Sequence, residues 1–228
     1  MGSEKLLVAT RNAGKLKELT ALLSGAPFEL VSLTDVGIDE DVEETGSTME
    51  ENATLKATTY ARLSGMPTLA DDSGLEVEAL GGEPGVFSAR YAGEGASDAQ
   101  RIDFLHMKLQ GIPEDSWNAR FRCVIAIVWP LRQALRMGGV RRDTTEGVGQ
   151  GRPSEPVELY TGECYGMIIK HPRGSNGFGY DPAFLIPELG KTMAELSNGE
   201  KNRLSHRSMA AQKAAAALRQ RAAKRERY

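Results

Sequence analysis

The chain has 228 residues, 40% of them hydrophobic and 26% charged, and a formal net charge of −3. That length allows one large domain or two small ones, and the near-neutral balance excludes a global basic field for nucleic acid. With two Cys and three His, a zinc site would consume nearly all of Cys123, Cys164, His106, His171 and His206, so metal chemistry is expected on carboxylates, whose oxygens suit Mg2+ or Mn2+.

The chain opens on Lys5–Thr10, a short buried strand. Ala13–Ser24 follows as a helix with Leu16, Leu19, Leu22 and Leu23 on one face, stopped by Gly25 and Pro27. Phe28–Leu33 reads as a second strand, so the start is strand, loop, helix, strand, as in an α/β domain. Ser47-Thr48 before Glu50-Glu51 predicts a helix start, running through Leu63 with Ala53, Ala57, Tyr60 and Ala61 inward. Thr68–Ala70 predicts a strand that ends at Asp71-Asp72-Ser73-Gly74, followed by a half-buried strand through Leu75, Val77 and Ala79.

Gly81–Gly95 is loop-rich, and Ser97–Leu109 reads as a helix with Ile102, Leu105 and Leu109 inward. Trp117–Trp129 alternates as a long strand, and Val157–Lys170 is its return. Residues 131–156 between them, with Gly138-Gly139, Gly147, Gly149 and Gly151, read as an insertion. Gly174–Asp181 is a Gly-rich loop, and Glu200 onward is an Ala-rich helix whose basic end, from about residue 219, reads as a solvated tail. No internal repeat or linker divides the chain, so a single domain is expected. The longest apolar run, Cys123 to Trp129, is far short of the ~20 residues that span a bilayer. No basic-then-apolar signal opens the chain, and two scattered Cys read as buried thiols. The expected place is the cytoplasm, without membrane partners.

Three segments carry candidate chemistry. Thr10-Arg11-Asn12-Ala13-Gly14-Lys15 sits before a helix start, where N–H groups and the dipole attract anions. It departs from a Walker A loop at Ala9 and Leu16, and the alternative is an Asn12 cap beside a surface Lys. Glu43-Glu44 and Asp71-Asp72 could hold Mg2+ against a polyphosphate, and one carboxylate could deprotonate water; the alternative is a turn at Asp-Ser-Gly. If the strand continued, Asp71 and Asp72 would point to opposite faces. In Asn176-Gly177-Phe178-Gly179-Tyr180-Asp181-Pro182, Phe178 could stack on a base or fill a core. Lys201, His206 and Arg207 could donate to a base carbonyl or line a solvated helix. Charge is segregated: residues 29–51 hold nine acids and no Lys or Arg, and residues 201–228 hold nine Lys/Arg and one acid.

Taken in order, these segments resemble the inosine triphosphate pyrophosphatase family. The matching blocks are Ala9-Thr10-Arg11-Asn12 with Lys15 and Glu18, Glu43-Glu44-Thr45-Gly46, Glu51-Asn52-Ala53 with Lys56-Ala57, and Ala70-Asp71-Asp72-Ser73-Gly74-Leu75. Pro84-Gly85, Ser88-Ala89-Arg90-Tyr91, Gly177 to Pro182 and Ser205-His206-Arg207 complete the set. The resemblance implies an α/β fold with an elongated central mixed sheet flanked by helices, two lobes and a deep cleft. It implies a homodimer and dependence on Mg2+, with Mn2+ able to substitute. It implies hydrolysis of ITP, dITP or XTP to the monophosphate and pyrophosphate, with no stable nucleic-acid partner, keeping such nucleotides out of DNA and RNA.

By match to the motifs, Thr10, Arg11, Asn12, Ala13, Gly14 and Lys15 would hold the triphosphate. Glu43 and Asp72 would bind the metal, Asp72 would also be the general base, and Ser73 would touch substrate. Phe178, Gly179, Tyr180, Asp181, Lys201, His206 and Arg207 would bind the purine. Two other readings are a pyrophosphatase for other modified nucleotides and a non-catalytic nucleotide- or RNA-binding protein. Guanine shares O6 with hypoxanthine, and no residue in these motifs stands out as the group that would exclude it.

Overall fold

A computed structural model describes residues 4–130 and 157–225. The expected insertion at 131–156 and the end of the basic tail lie outside the described residues.

The opening matches the periodicity. Strand β1 (Lys5–Val8) leads to helix α1 (Ala13–Leu23), and β2 (Glu29–Ser32) returns parallel to β1. Asn12 caps α1, its Oδ1 accepting from the Lys15 amide at 3.0 Å, a contact worth about 1 kcal/mol. Helix α2 (Met49–Ser64) is capped by Thr48 and ends at Gly65, which supplies the left-handed φ of 67° that closes it. Its buried face holds the expected Ala53, Ala57, Tyr60 and Ala61, together with Met49 and one polar residue, Asn52.

Next come β3 (Thr68–Val77), α3 (Asp98–Lys108), β4 (Asn118–Val128) and β5 (Val157–Ile168). β6 (Phe184–Ile186) and β7 (Lys191–Thr192) finish a seven-stranded sheet of order β2-β1-β3-β4-β5-β6-β7. β1 pairs in parallel with β2 and β3, and every other neighbour pair is antiparallel, so the sheet is mixed as expected. Helix α2 covers one face with an apolar cluster that includes Ala53, Ala57, Val124 and Ala126. Helices α1 and α5 (His206–Arg225) cover the other, packing Leu19, Leu23, Ala211 and Ala214 on Leu69, Ile125 and Ile127. A third cluster joins α3 to the far ends of β3, β4 and β5 through Leu105, Val77, Phe121 and Ile168.

Two local expectations are corrected. β3 does not stop at Asp71: it runs unbroken through Asp71-Asp72-Ser73-Gly74, in register with β4 from Thr68 opposite Val128 to Val77 opposite Ala119. Turn chemistry loses because ten consecutive ladder partners and cationic neighbours on both faces satisfy what a turn would have exposed to water. The C-terminal helix is also two helices. α4 (Asn198–Leu204) ends at Ser205, whose ψ of 150° leaves the helical region. The Ser205 hydroxyl then accepts from the Ser208 amide at 3.2 Å and starts α5. That break places His206 and Arg207 in the first turn of α5.

Candidate active site

β1 and β3 pair only as far as Val8 opposite Leu69. From Ala70 to Gly74 the edge of β3 away from β4 has no strand partner among the described residues. The window closes at Leu75, whose amide donates to the Ser88 hydroxyl at 2.9 Å, and at Glu76, bridged to Pro84. Alternation along an extended strand sends Asp71 and Asp72 to opposite faces beside this open edge, and the two carboxylates have separate partners.

Asp71 faces α1 and α5. Lys15 Nζ lies 3.3 Å from its Oδ2 and Arg207 Nε 3.5 Å from the same oxygen. Burial alone would raise its pKa, but Lys15, Arg207 and Lys56 together hold it below the ordinary carboxylate value. Asp72 faces α2: Asn52 Nδ2 donates to Oδ2 at 3.2 Å, and the Ser73 amide donates to Oδ1 at 2.8 Å. Lys56 Nζ stands 3.9 Å from Asp72 and pairs directly with Glu44. For Asp72 burial wins over Lys56 and Lys15, and its pKa is raised. Two adjacent carboxylates are thus driven in opposite directions by their surroundings, the pattern that separates a structural anion from a proton acceptor.

On the Asp71 face lies an open pocket. Its walls take in Asn12, Lys15, Ser73, Phe178, Gly179, Tyr180, Asp181, Lys201, His206 and Arg207, so the pocket joins the first and third candidate segments beside Ser73, while Glu43, Glu44, Asp71 and Asp72 do not line it. Lys201 Nζ and the Arg207 guanidinium lie 5.3 and 5.5 Å from the centroid of the Phe178 ring, a cation–π arrangement. His206 stacks on Phe121 with centroids 4.8 Å apart and planes 17° from parallel. Burial first, and then the charges of Arg207 and Lys201, hold His206 well below its ordinary pKa, so the ring is neutral. Its Nδ1 is buried without a partner among the described residues.

Other expected residues take different work. Tyr180 is buried and its hydroxyl is spent on the Ser88 carbonyl at 2.9 Å, so it builds wall. Asp181 Oδ2 accepts from the Phe178 amide at 3.1 Å and from Lys201 at 2.7 Å, so it fixes the loop and the lysine. Arg11 turns from the pocket and ties the acidic strip, through Asp41 at 3.5 Å and the Ile38 and Glu40 carbonyls at 3.2 and 2.7 Å. Thr10 accepts from the Asn12 amide at 3.3 Å, inside its own loop. Ala13 is exposed in the first turn of α1, and Gly14 lies directly under Phe178. Glu43 is exposed on the strip before α2, whereas Glu44 reaches Lys56 and the field of Asp72.

Three contributors had no assigned part in the sequence reading. Glu18 on α1 pairs with Lys201 at 2.8 Å and with Arg207, bridging α1 to α4 and α5. Spacing gave a partial signal for Glu18, since on α1 it stands one turn beyond Gly14 and Lys15. Asn52 stands in the Glu51-Asn52-Ala53 block without a role of its own, a polar residue on an apolar helix face. Arg101 on α3 also lines the pocket.

A family model described as the Ham1 family matches residues 6–217. The chain belongs to the Ham1 family. Its members include a dITP/XTP pyrophosphatase of Geobacter sulfurreducens, 47% identical over 206 residues, covering 90% of this chain and 92% of that one. A dITP/XTP pyrophosphatase of Bacillus licheniformis is 43% identical over 215 residues, covering 94% and 98%. Among solved structures, a HAM1 protein from Coxiella burnetii superposes with a TM-score of 0.78 at 38% identity, covering 94% of this chain and 98% of that one. The α/β fold with its mixed sheet is therefore that of Ham1 proteins. Among the described residues no helix is long and apolar enough to cross a membrane.

Proposed function

We propose that this Ham1 chain hydrolyses dITP, ITP and XTP to the nucleoside monophosphate and pyrophosphate, clearing deaminated purines before a polymerase meets them. The observation that carries the reading is the open edge of β3. There one short segment, Asp71-Asp72-Ser73, borders the cationic and aromatic pocket on one face and a buried carboxylate of raised pKa on the other. The names of the relatives supply the substrate class.

In this reading the purine enters the pocket and stacks on Phe178, a contact worth roughly 1–3 kcal/mol. Lys201 and Arg207 sit beside that ring, and His206 meets the polar edge of the base. A carbonyl at C6 accepts from such donors, whereas the amino group of adenine opposes them. A mismatched buried polar group costs about 1–3 kcal/mol, so several contacts together reject ATP. The triphosphate crosses the β3 edge past the α1 N-terminus, where helix N–H groups and Lys15 oppose its charge. Asp72 Oδ accepts the proton of the attacking water, its raised pKa bringing it toward working pH. Asn52 orients that carboxylate, and Lys56 remains protonated beside it because Asp72 and Glu44 outweigh burial.

The donor set fits Mg2+, with Mn2+ as a substitute. No group of three or more His, Cys, Asp or Glu among the described residues is arranged to hold a metal. Mg2+ does not need one, because it binds through one or two carboxylates together with substrate phosphates and water. Asp72 with Glu43 or Glu44 would be the protein's share, and the ion would neutralise phosphate charge as the bond to pyrophosphate breaks. A single-domain enzyme of two lobes, acting as a homodimer in the cytoplasm, completes the proposal on the strength of the family resemblance.

The test is an assay of ITP, dITP, XTP, ATP and GTP with Mg2+, identifying products. Monophosphate and pyrophosphate from the first three, with little from ATP, is the expected result. Equal turnover of ATP would refute the specificity, and release of orthophosphate would refute the bond assignment.

A further inference from the structure

One polar group in the pocket belongs to none of the motif segments. Arg101 reaches it from α3, an element that carries no other lining residue. Its guanidinium is fixed with unusual completeness for a side chain on a helix surface. Nη1 donates to the Ala89 carbonyl at 3.0 Å and the Ala96 carbonyl at 2.7 Å, and Nη2 pairs with Asp98. Asp98 in turn accepts from the Gly179 amide at 2.7 Å through its other oxygen. The arginine and the Phe178–Asp181 loop are therefore held in one frame.

A guanidinium has five N–H donors and no acceptor. Both Nη1 hydrogens and one on Nη2 are accounted for, while Nε–H and the second Nη2–H have no partner among the described residues. The side chain is 18% exposed, and its Nε, unlike Nε of Arg207, is not sealed from solvent, so it is open to a ligand at the pocket wall. Lys201 and Arg207 come from α4 and α5 and face the Phe178 ring from there, and His206, also on α5, stacks on Phe121. Arg101 is therefore a second, separate source of donors against the same ligand.

We propose that Arg101 is a specificity-determining residue that reads position 2 of the purine. The inference rests on the proposed function, in which the base occupies this pocket. Purines that share O6 differ at C2: xanthine carries a carbonyl, hypoxanthine a hydrogen and guanine an amino group. A rigid donor donates to the xanthine carbonyl, is indifferent to the hydrogen and opposes the amino group donor to donor. One cation thus yields the discrimination that O6 contacts alone cannot provide, favouring XTP and excluding GTP while tolerating ITP. The device is electrostatic rather than steric, because O2 and N2 are similar in size.

The experiment measures kcat/KM for ITP, XTP and GTP, and separately Kd for IMP, XMP and GMP, in the wild type, Arg101→Met and Arg101→Lys. Arg101→Met is expected to lower XTP relative to ITP about tenfold and to raise GTP relative to ITP several-fold. Arg101→Lys, which keeps a donor, is expected to lie between, and the monophosphate Kd ratios should move the same way. If all three substrates fall together with unchanged ratios, Arg101 only supports the fold and the proposal is overturned. Should Arg101→Met not fold, the Lys variant's ratios decide alone, since a shortened, displaced donor must still change XTP against GTP. A wild type inactive on every triphosphate would defeat the proposed function instead, and the monophosphate ratios would still judge Arg101.

Discussion

A Cβ on Gly14 would stand 2.8 Å from Cδ1 of Phe178. The first turn of α1 and the aromatic of the Gly-rich loop meet because residue 14 has no side chain. Phosphate loop and base platform, more than a hundred and sixty residues apart in sequence, are thereby one surface. Gly14→Ala should displace the Phe178 ring and leave α1 intact, since alanine is the better helix former. The expected outcome is a KM for ITP raised about tenfold, kcat changed less, and thermal stability retained, read by steady-state kinetics and a melting curve. An unchanged KM would mean that substrate does not use the ring.

Asp72→Asn keeps the shape of the side chain and can still accept from one of its two donors, Asn52 Nδ2 or the Ser73 amide, but removes the proton acceptor. Turnover should fall about 100- to 10,000-fold, with Kd for ITP little altered. The same substitution should not lower stability near neutral pH. Asp72 has a folded pKa above its unfolded value, so its contribution is favourable below the unfolded value of 3.8 and is lost as pH rises through the folded one. Removing that charge lifts the penalty, and Lys56 keeps Glu44 as its partner. A large loss of Tm together with activity would instead mark Asp72 as a structural anion.

How the two aspartates divide shows where sequence reasoning stops. Opposite faces followed from alternation as soon as the strand was allowed to continue, but the sequence could not say that it continues. The Asp-Ser-Gly turn signal is local, and what overrides it is not: Arg207 meets Asp71 across 136 positions, and Asn52 meets Asp72 across 20. The apolar faces of α1, α2 and α3 were legible because helical periodicity is a property of neighbours. The break at Ser205 was missed because an Ala-rich segment reads as one helix, while a serine that ends one helix and caps the next differs from a helical serine only in its ψ. Arg101 left no trace, since one arginine on an amphipathic helix looks like any solvated charge.

Acid should destabilise the fold through His206 and Asp71. His206 is buried and neutral, with a folded pKa well below 6.5, so the unfolded chain binds a proton first. Its stability contribution is therefore full above 6.5 and declines as pH falls from there toward the folded value. Asp71, with a depressed pKa, adds a loss only at more acidic pH. The measurement is Tm from pH 7.5 to about 5. His206→Phe, which keeps the stack on Phe121, should flatten that decline, and a slope identical to wild type would remove His206 as its source.

The Glu18–Lys201–Asp181 chain should behave as a unit. Lys201 is 7% exposed and ion-paired at 2.8 and 2.7 Å to two carboxylates, themselves largely buried. Removing one partner of a buried pair strands the others' charge at a cost of about 3–5 kcal/mol, so Lys201→Met should lower stability on that scale. Glu18→Gln should cost less, because Arg207 keeps Asp71 and Ser73 and Lys201 keeps Asp181. In the double variant the losses should fall short of additivity by at least about 1 kcal/mol, the coupling expected of residues in one network. Additive losses in urea melts would show that Glu18 and Lys201 act independently, and that the bridge between α1 and α4 carries no cooperative energy.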